Sequence, residues 1–116
     1  MGGTGKTPVT IALAEYFRDK GRKVGIISRG YKRKSKGVVM VHDGNRMLQS
    51  IENTGDEPFE IAWRLGDIPV VVSEKRISGC KILEKLNCDI ILADDAFQHR
   101  RLYRDCLLYT SDAADE

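Results

Sequence analysis

Apolar residues along the chain follow two rhythms. Over residues 7–20 they recur at helical spacing, and Val9, Ala12, Leu13, Tyr16 and Phe17 are expected to face inward. Pro8 suits a first helical turn, and Gly21 stops the helix. Residues 23–28, 68–72 and 89–93 are short continuous apolar runs. They read as strands, and 68–72 is expected to be covered on both faces. Helical spacing returns over 57–65, with Ile61 and Leu65 inward. It returns again over 77–86, with Ile77, Cys80 or Lys81, and 83–86 roughly on one side. Residues 38–41 and 46–49 flank Asp43-Gly44-Asn45, which predicts a small β-hairpin insertion. Strands alternating with helices predict an α/β fold, a parallel sheet flanked by helices with right-handed crossovers.

The 116 residues suffice for one domain. The composition, 41% apolar and 31% charged, is that of a soluble α/β protein rather than a disordered or membrane-spanning one. No apolar run is long enough to cross a bilayer. The chain opens directly in a glycine loop, so no signal peptide is expected. Cys80, Cys88 and Cys106 lack metal-ligand spacing and read as reduced thiols.

The strongest chemical signal is Gly2-Gly3-Thr4-Gly5-Lys6-Thr7 ahead of the first helix. Glycines let consecutive N–H groups turn toward phosphate oxygens, and the helix aims its positive end at the same charge. In such a loop Lys6 reaches the β- and γ-phosphates of ATP and the Thr7 hydroxyl ligates Mg²⁺. The complete P-loop motif needs a residue before Met1, and a P-loop hangs from a strand. The sheet is therefore expected to lack its first strand, with Met1 a miscalled start. The last apolar run carries Asp94 and Asp95 to the rim of the sheet, as a Walker B strand does, where carboxylates can hold Mg²⁺. The bland alternative is a turn or helix cap. Gly55-Asp56-Glu57-Pro58 is a second acidic pair. Asp56 can be a helix N-cap, or a base that takes a proton from a sugar hydroxyl, or both.

Five segments in this order resemble the tetraacyldisaccharide 4′-kinase (lipid A 4′-kinase) family: Gly-Gly-Thr-Gly-Lys-Thr-Pro at 2–8, Ser-Arg-Gly-Tyr at 28–31, Gly-Asp-Glu-Pro at 55–58, Pro-Val-Val-Val at 69–72 and Asp-Asp-Ala-Phe-Gln-His-Arg at 94–100. The resemblance implies transfer of the ATP γ-phosphoryl to the 4′-hydroxyl of a tetraacylated glucosamine disaccharide 1-phosphate. It places that reaction on the cytoplasmic face of the bacterial inner membrane. It makes Lys6 and Thr7 ligands of ATP and Mg²⁺, Asp56 the base with Glu57 beside it, and Asp94 and Asp95 the Walker B acids. Arg76 becomes an offset to phosphate charge, and Gln98 and His99 lie at the substrate rim. The family's base is assisted by a histidine from its C-terminal half, so neither His42 nor His99 takes that role. Expected partners are the lipid A disaccharide precursor and an anionic membrane surface, with neither nucleic acid nor a protein partner implied.

Arg29, Lys32, Arg33, Lys34 and Lys36 crowd one loop. They are expected either to be solvated or to attract anionic headgroups or the substrate's 1-phosphate. Residues 1–105 read as a partial P-loop kinase domain without its C-terminal half, and the isolated chain is expected to be inactive. Residues 106–116 back-translate to a transposon-end sequencing adapter and are expected to be a non-native tail. They hold three acids and no base, leaving 19 bases against 14 acids before them. The rival function is a ParA/MinD-type ATPase switch on DNA or membrane. Against it stand Met1 where those proteins carry a lysine and Ser28-Arg29-Gly30-Tyr31 where their second strand ends in aspartate.

Overall fold

The computed structural model describes residues 6–30, 33–94, 102–103 and 106–110, with side chains described over 9–30 and 33–93. The elements run α1 (Lys6–Asp19), β1 (Val24–Ser28), β2 (Val39–His42), α2 (Ile51–Thr54), α3 (Asp56–Leu65), β3 (Val70–Val72), α4 (Arg76–Lys85), β4 (Ile90–Asp94), β5 (Leu102–Tyr103) and β6 (Cys106–Thr110).

The sheet order is β2-β3-β1-β4-β6-β5. β1 pairs in parallel with β3 on one side and β4 on the other, as the helical crossovers require. The sheet as a whole is mixed, which corrects the expectation of a parallel one: β2 is antiparallel to β3, and β5 to β6. β2 follows β1 through a loop with no helix, so nothing returns the chain to its starting edge and β2 runs the other way.

The expected hairpin is also reduced. Its second arm is one bridge, His42 to Met47, reinforced by the Leu48 N–H donating to the Val41 carbonyl at 2.8 Å. The other side of β2 joins the sheet, with a bulge between Met40 and His42. His42 is buried, and its Nδ1 accepts the Gly44 N–H at 3.0 Å, so this histidine holds a turn.

β6 pairs in parallel with β4 and lies within the segment expected to be non-native. That pairing is indifferent to origin, since an apolar Leu-Leu-Tyr run adds readily to an open parallel edge.

Two apolar clusters cover the two faces of the sheet. On one face α1 and α3 bury Ile11, Ala14, Ile61, Ala62 and Leu65 against Val24, Ile26, Val70, Val72, Ile90 and Leu92. On the other face α4 buries Cys80 and Leu83 against Ile27, Val71, Ile91 and Ala93, with Cys88 beside them. Ile61 and Leu65 face inward as expected. The face of α1 is shifted from the expected one: Thr10, Ile11 and Ala14 are buried, the expected Leu13 and Phe17 are half-buried against the same cluster, and the expected Val9, Ala12 and Tyr16 are exposed. In α4 the expected Cys80 and Leu83 are buried, joined by Gly79, while Ile77 is exposed. Small residues at 14 and 79 let each helix approach the sheet closely, which periodicity of large residues does not foresee. Among the described residues no helix is long and apolar enough to cross a membrane.

Candidate active site

The parallel strands end side by side. Ser28 is level with Val72 of β3 and with Asp94 of β4. The helices are anchored at the opposite edge. Arg18, in the last turn of α1, pairs with Asp67 just before β3 at 2.7 Å, and Arg22 pairs with Asp89 just before β4 at 3.2 Å. α1 therefore finishes where the strands begin. Its fourteen residues rise about 21 Å, enough to carry its N-terminus, Lys6 and Thr7, back to the edge where β1 and β4 end. α3 repeats this arrangement. It closes at Leu65–Gly66, ahead of β3, and so opens with Asp56 at the carboxyl edge. Arg76 opens α4 four residues after β3 ends.

The starts of α1, α3 and α4 and the end of β4 thus share one edge, with α1 and α3 on one face and α4 on the other. The loop leaving β1 turns toward β3 and β2, away from β4. The region outside the carboxyl ends of parallel strands is where α/β sheets bind ligands.

Gly2, Gly3, Thr4, Gly5, Asp95, Gln98 and His99 lie outside the described residues, and Lys6, Thr7 and Asp94 are described in backbone only. Among the described residues no group of three metal-ligating side chains forms. The metal ligands expected from the sequence, Thr7, Asp94 and Asp95, all lie outside that side-chain description.

Asp56 is not the N-cap, which corrects one of its two sequence readings. Gly55 occupies the cap and Asp56 is the first helical residue, with no side-chain capping bond. Among the described residues the exposed Asp56 carboxylate accepts no hydrogen bond and forms no ion pair. Beside it Glu57 is half-buried, as is Arg76.

Gly55 makes this exposure possible. Its φ of 89° and ψ of 165° lie in a region essentially closed to residues with a Cβ. The break it creates ends α2 and starts α3 at once. Gly55→Ala is expected to cost about 1–3 kcal/mol and to move Asp56. Gly66, the left-handed C-cap of the same helix at φ 77°, is the control. Gly66→Ala is expected to cost about 1–2 kcal/mol with activity per folded molecule unchanged. Urea midpoints and kcat for the two variants check this.

The basic loop is not a uniform charged surface. Arg33 is internal, its side chain 3% exposed and paired with Glu74 at 2.7 Å. Only Lys34 and Lys36 are exposed among the described members, and Lys32 lies outside them. The reading of five cations facing lipid is corrected for Arg33. Charge spacing along a loop does not reveal that an acid 41 residues later folds onto it.

The tetraacyldisaccharide-1-P 4′-kinase family model matches residues 1–116. The chain is 48% identical over 107 residues to the tetraacyldisaccharide 4′-kinase of Chlorobium chlorochromatii, covering 89% of this chain and 29% of that protein. It is 45% identical over 115 residues to that of Desulfotalea psychrophila, covering 97% and 33%. The solved structure of LpxK from Aquifex aeolicus in complex with ATP superposes with a TM-score of 0.75 at 45% identity, covering 90% of this chain and 33% of that one. The chain spans about a third of the length of the curated relatives it matches.

Proposed function

We propose that this chain, which belongs to the tetraacyldisaccharide 4′-kinase family, supplies the nucleotide-binding and proton-accepting parts of a lipid A 4′-kinase. The acceptor is the 4′-hydroxyl of a tetraacylated disaccharide 1-phosphate. One observation carries the reading: the α1 N-terminus, the uncapped Asp56 and the end of β4 share one edge of the sheet.

The role assigned to each residue combines that edge with the resemblance to the family. A helix N-terminus favours a phosphate chain, and Lys6 adds a full positive charge toward the β- and γ-phosphates. ATP, the ligand in the Aquifex aeolicus structure, supplies the phosphoryl group when bound. Thr7, Asp94 and Asp95 offer the hard oxygen donors that Mg²⁺ prefers. Asp56 accepts the proton of the attacking hydroxyl, with Glu57 adjacent, and Arg76 offsets phosphate charge from the α4 side. Gln98 and His99 are assigned to the acceptor's border by the family resemblance alone. The working location is the cytoplasmic face of the inner membrane, where the exposed Lys34 and Lys36 can meet anionic headgroups.

The test is a hybrid: the Aquifex aeolicus kinase with its matching third replaced by residues 2–105 of this chain. ATP-dependent phosphorylation of the disaccharide acceptor is expected, and Lys6→Ala should lower it by about a hundredfold or more. A folded hybrid that binds ATP but never phosphorylates the acceptor overturns the proposal.

A further inference from the structure

The loop after β1 holds a side chain that the proposed chemistry leaves unused. Arg33 is almost wholly enclosed, although it sits in the most basic stretch of the chain. Its guanidinium donates to the Ser35 hydroxyl at 2.8 Å, to the Gly37 carbonyl and to Glu74 Oε2 at 2.7 Å. Glu74 Oε1 accepts the Gly37 N–H at 3.1 Å, so one carboxylate grips both the guanidinium and the end of the loop. The Glu74 carboxyl is held below its ordinary value. Its own backbone N–H is the main cause, opposed by some loss of hydration and aided by the Arg33 charge.

From Arg33 the contacts run on toward Asp56. The Ser35 hydroxyl, having accepted from Arg33, donates to the Asn53 carbonyl at 2.5 Å. The Lys34 N–H donates to the Glu52 carbonyl at 2.8 Å. Gly30, at φ 69°, lies so close that a Cβ there would stand 2.5 Å from Arg33 Cδ and 3.1 Å from the Thr54 carbonyl oxygen. Thr54 is fully buried, and its hydroxyl donates to the Gly55 carbonyl at 2.9 Å. At the other end Glu74 stands two residues before Arg76.

α3 and α4 are on opposite faces of the sheet, so their first residues cannot pack against each other through the helices. A polar path Glu74–Arg33–Ser35–Asn53 joins their approaches around the carboxyl edge. We propose that Arg33 and Glu74 are positioning residues of the phosphoryl-transfer site, a clamp that fixes Asp56 and Arg76 relative to each other across the sheet. This inference rests on the kinase reading above. The clamp touches no reacting atom. Its effect comes through alignment, where a displacement of about 1 Å costs on the order of a hundredfold in rate.

The hybrid enzyme tests it with Glu74→Gln and Arg33→Lys. Glu74→Gln keeps the shape and an acceptor but removes the charge from a half-exposed position, so it should fold. Arg33→Lys keeps the charge but loses the fork. Each variant is expected to lower kcat by about tenfold to a hundredfold, with KM for ATP nearly unchanged. Amide hydrogen exchange should quicken at Lys34 and Gly37 while β1 and β3 keep their protection. If kcat per folded molecule matches the parent in Glu74→Gln, the clamp is merely structural and the proposal fails, whatever Arg33→Lys does. Asp56→Asn and the unsubstituted hybrid separate the two levels. If the unsubstituted hybrid never phosphorylates the acceptor, the kinase reading has failed; if Asp56→Asn stays active, only the proton-accepting role of Asp56 has. If it is inactive while both clamp variants run at the parental rate, only the positioning role has.

Discussion

Asp56→Asn in the hybrid enzyme is expected to lower kcat by about 10²–10⁴-fold, the range a positioned general base contributes, with KM for ATP nearly unchanged. The substitution keeps size and shape and removes only the capacity to take a proton. The structure separates this from a stability effect. Asp56 makes no capping bond, because Gly55 holds the cap position. Among the described residues its one structural contribution is negative charge in the first turn of α3, worth about 0.3–1 kcal/mol at a helix N-terminus. Thermal stability should therefore fall slightly while turnover collapses. The neighbouring Glu57→Gln removes a similar charge from the same turn and is expected to cost less turnover. Rates of acceptor phosphorylation and melting midpoints for both variants check this. An Asp56→Asn enzyme that keeps more than about a tenth of parental kcat would leave too little loss for a missing base.

The parts of this fold that could be read from sequence are those where one residue type dictates one answer. Val70-Val71-Val72 and Ile90-Ile91-Leu92-Ala93 are buried because continuous apolar runs have no polar face to offer to solvent. Asp94 reaches the carboxyl edge because it ends such a run. The hidden parts depend on partners distant in sequence or on small residues. Periodicity places Leu13, Phe17, Cys80 and Leu83 against the core but also counts Val9, Tyr16 and Ile77, because it passes over Ala14 and Gly79, where closeness to the sheet matters more than side-chain size. β2 reads as half of an isolated hairpin because nothing local to it announces pairing with β3. Arg33 looks like one of five surface cations until Glu74 is folded against it. The glycine at position 55 is the one sequence signal that Asp56 stands clear of its own helix cap. A glycine directly before an acidic pair permits that backbone without requiring it.

Gly79→Ala is expected to destabilise the protein by about 1–3 kcal/mol, although alanine favours a helix over glycine by about 0.8–1 kcal/mol. A Cβ at 79 would overlap Ile27 Cδ1 and stand 3.0 Å from Cγ1 and 3.4 Å from Ser73 Cβ. Ile27 cannot move aside. It is 1% exposed, in a central strand, and shares its cluster with Val71, Leu83 and Ile91. The helix must lift instead, and its first residue, Arg76, sits one turn before Gly79. Ile27→Val removes the overlapped Cδ1 and alone should cost about 0.5–1.5 kcal/mol. The double variant should then lose less than the two single losses together, with a coupling of about 0.5–3 kcal/mol, and should recover the turnover lost in Gly79→Ala. Urea unfolding of the hybrid and its three variants measures the coupling, and kcat measures the seating of Arg76. Additive losses would mean that α4 is not held off by Ile27, and that the close approach of this helix to β1 does not set where Arg76 stands.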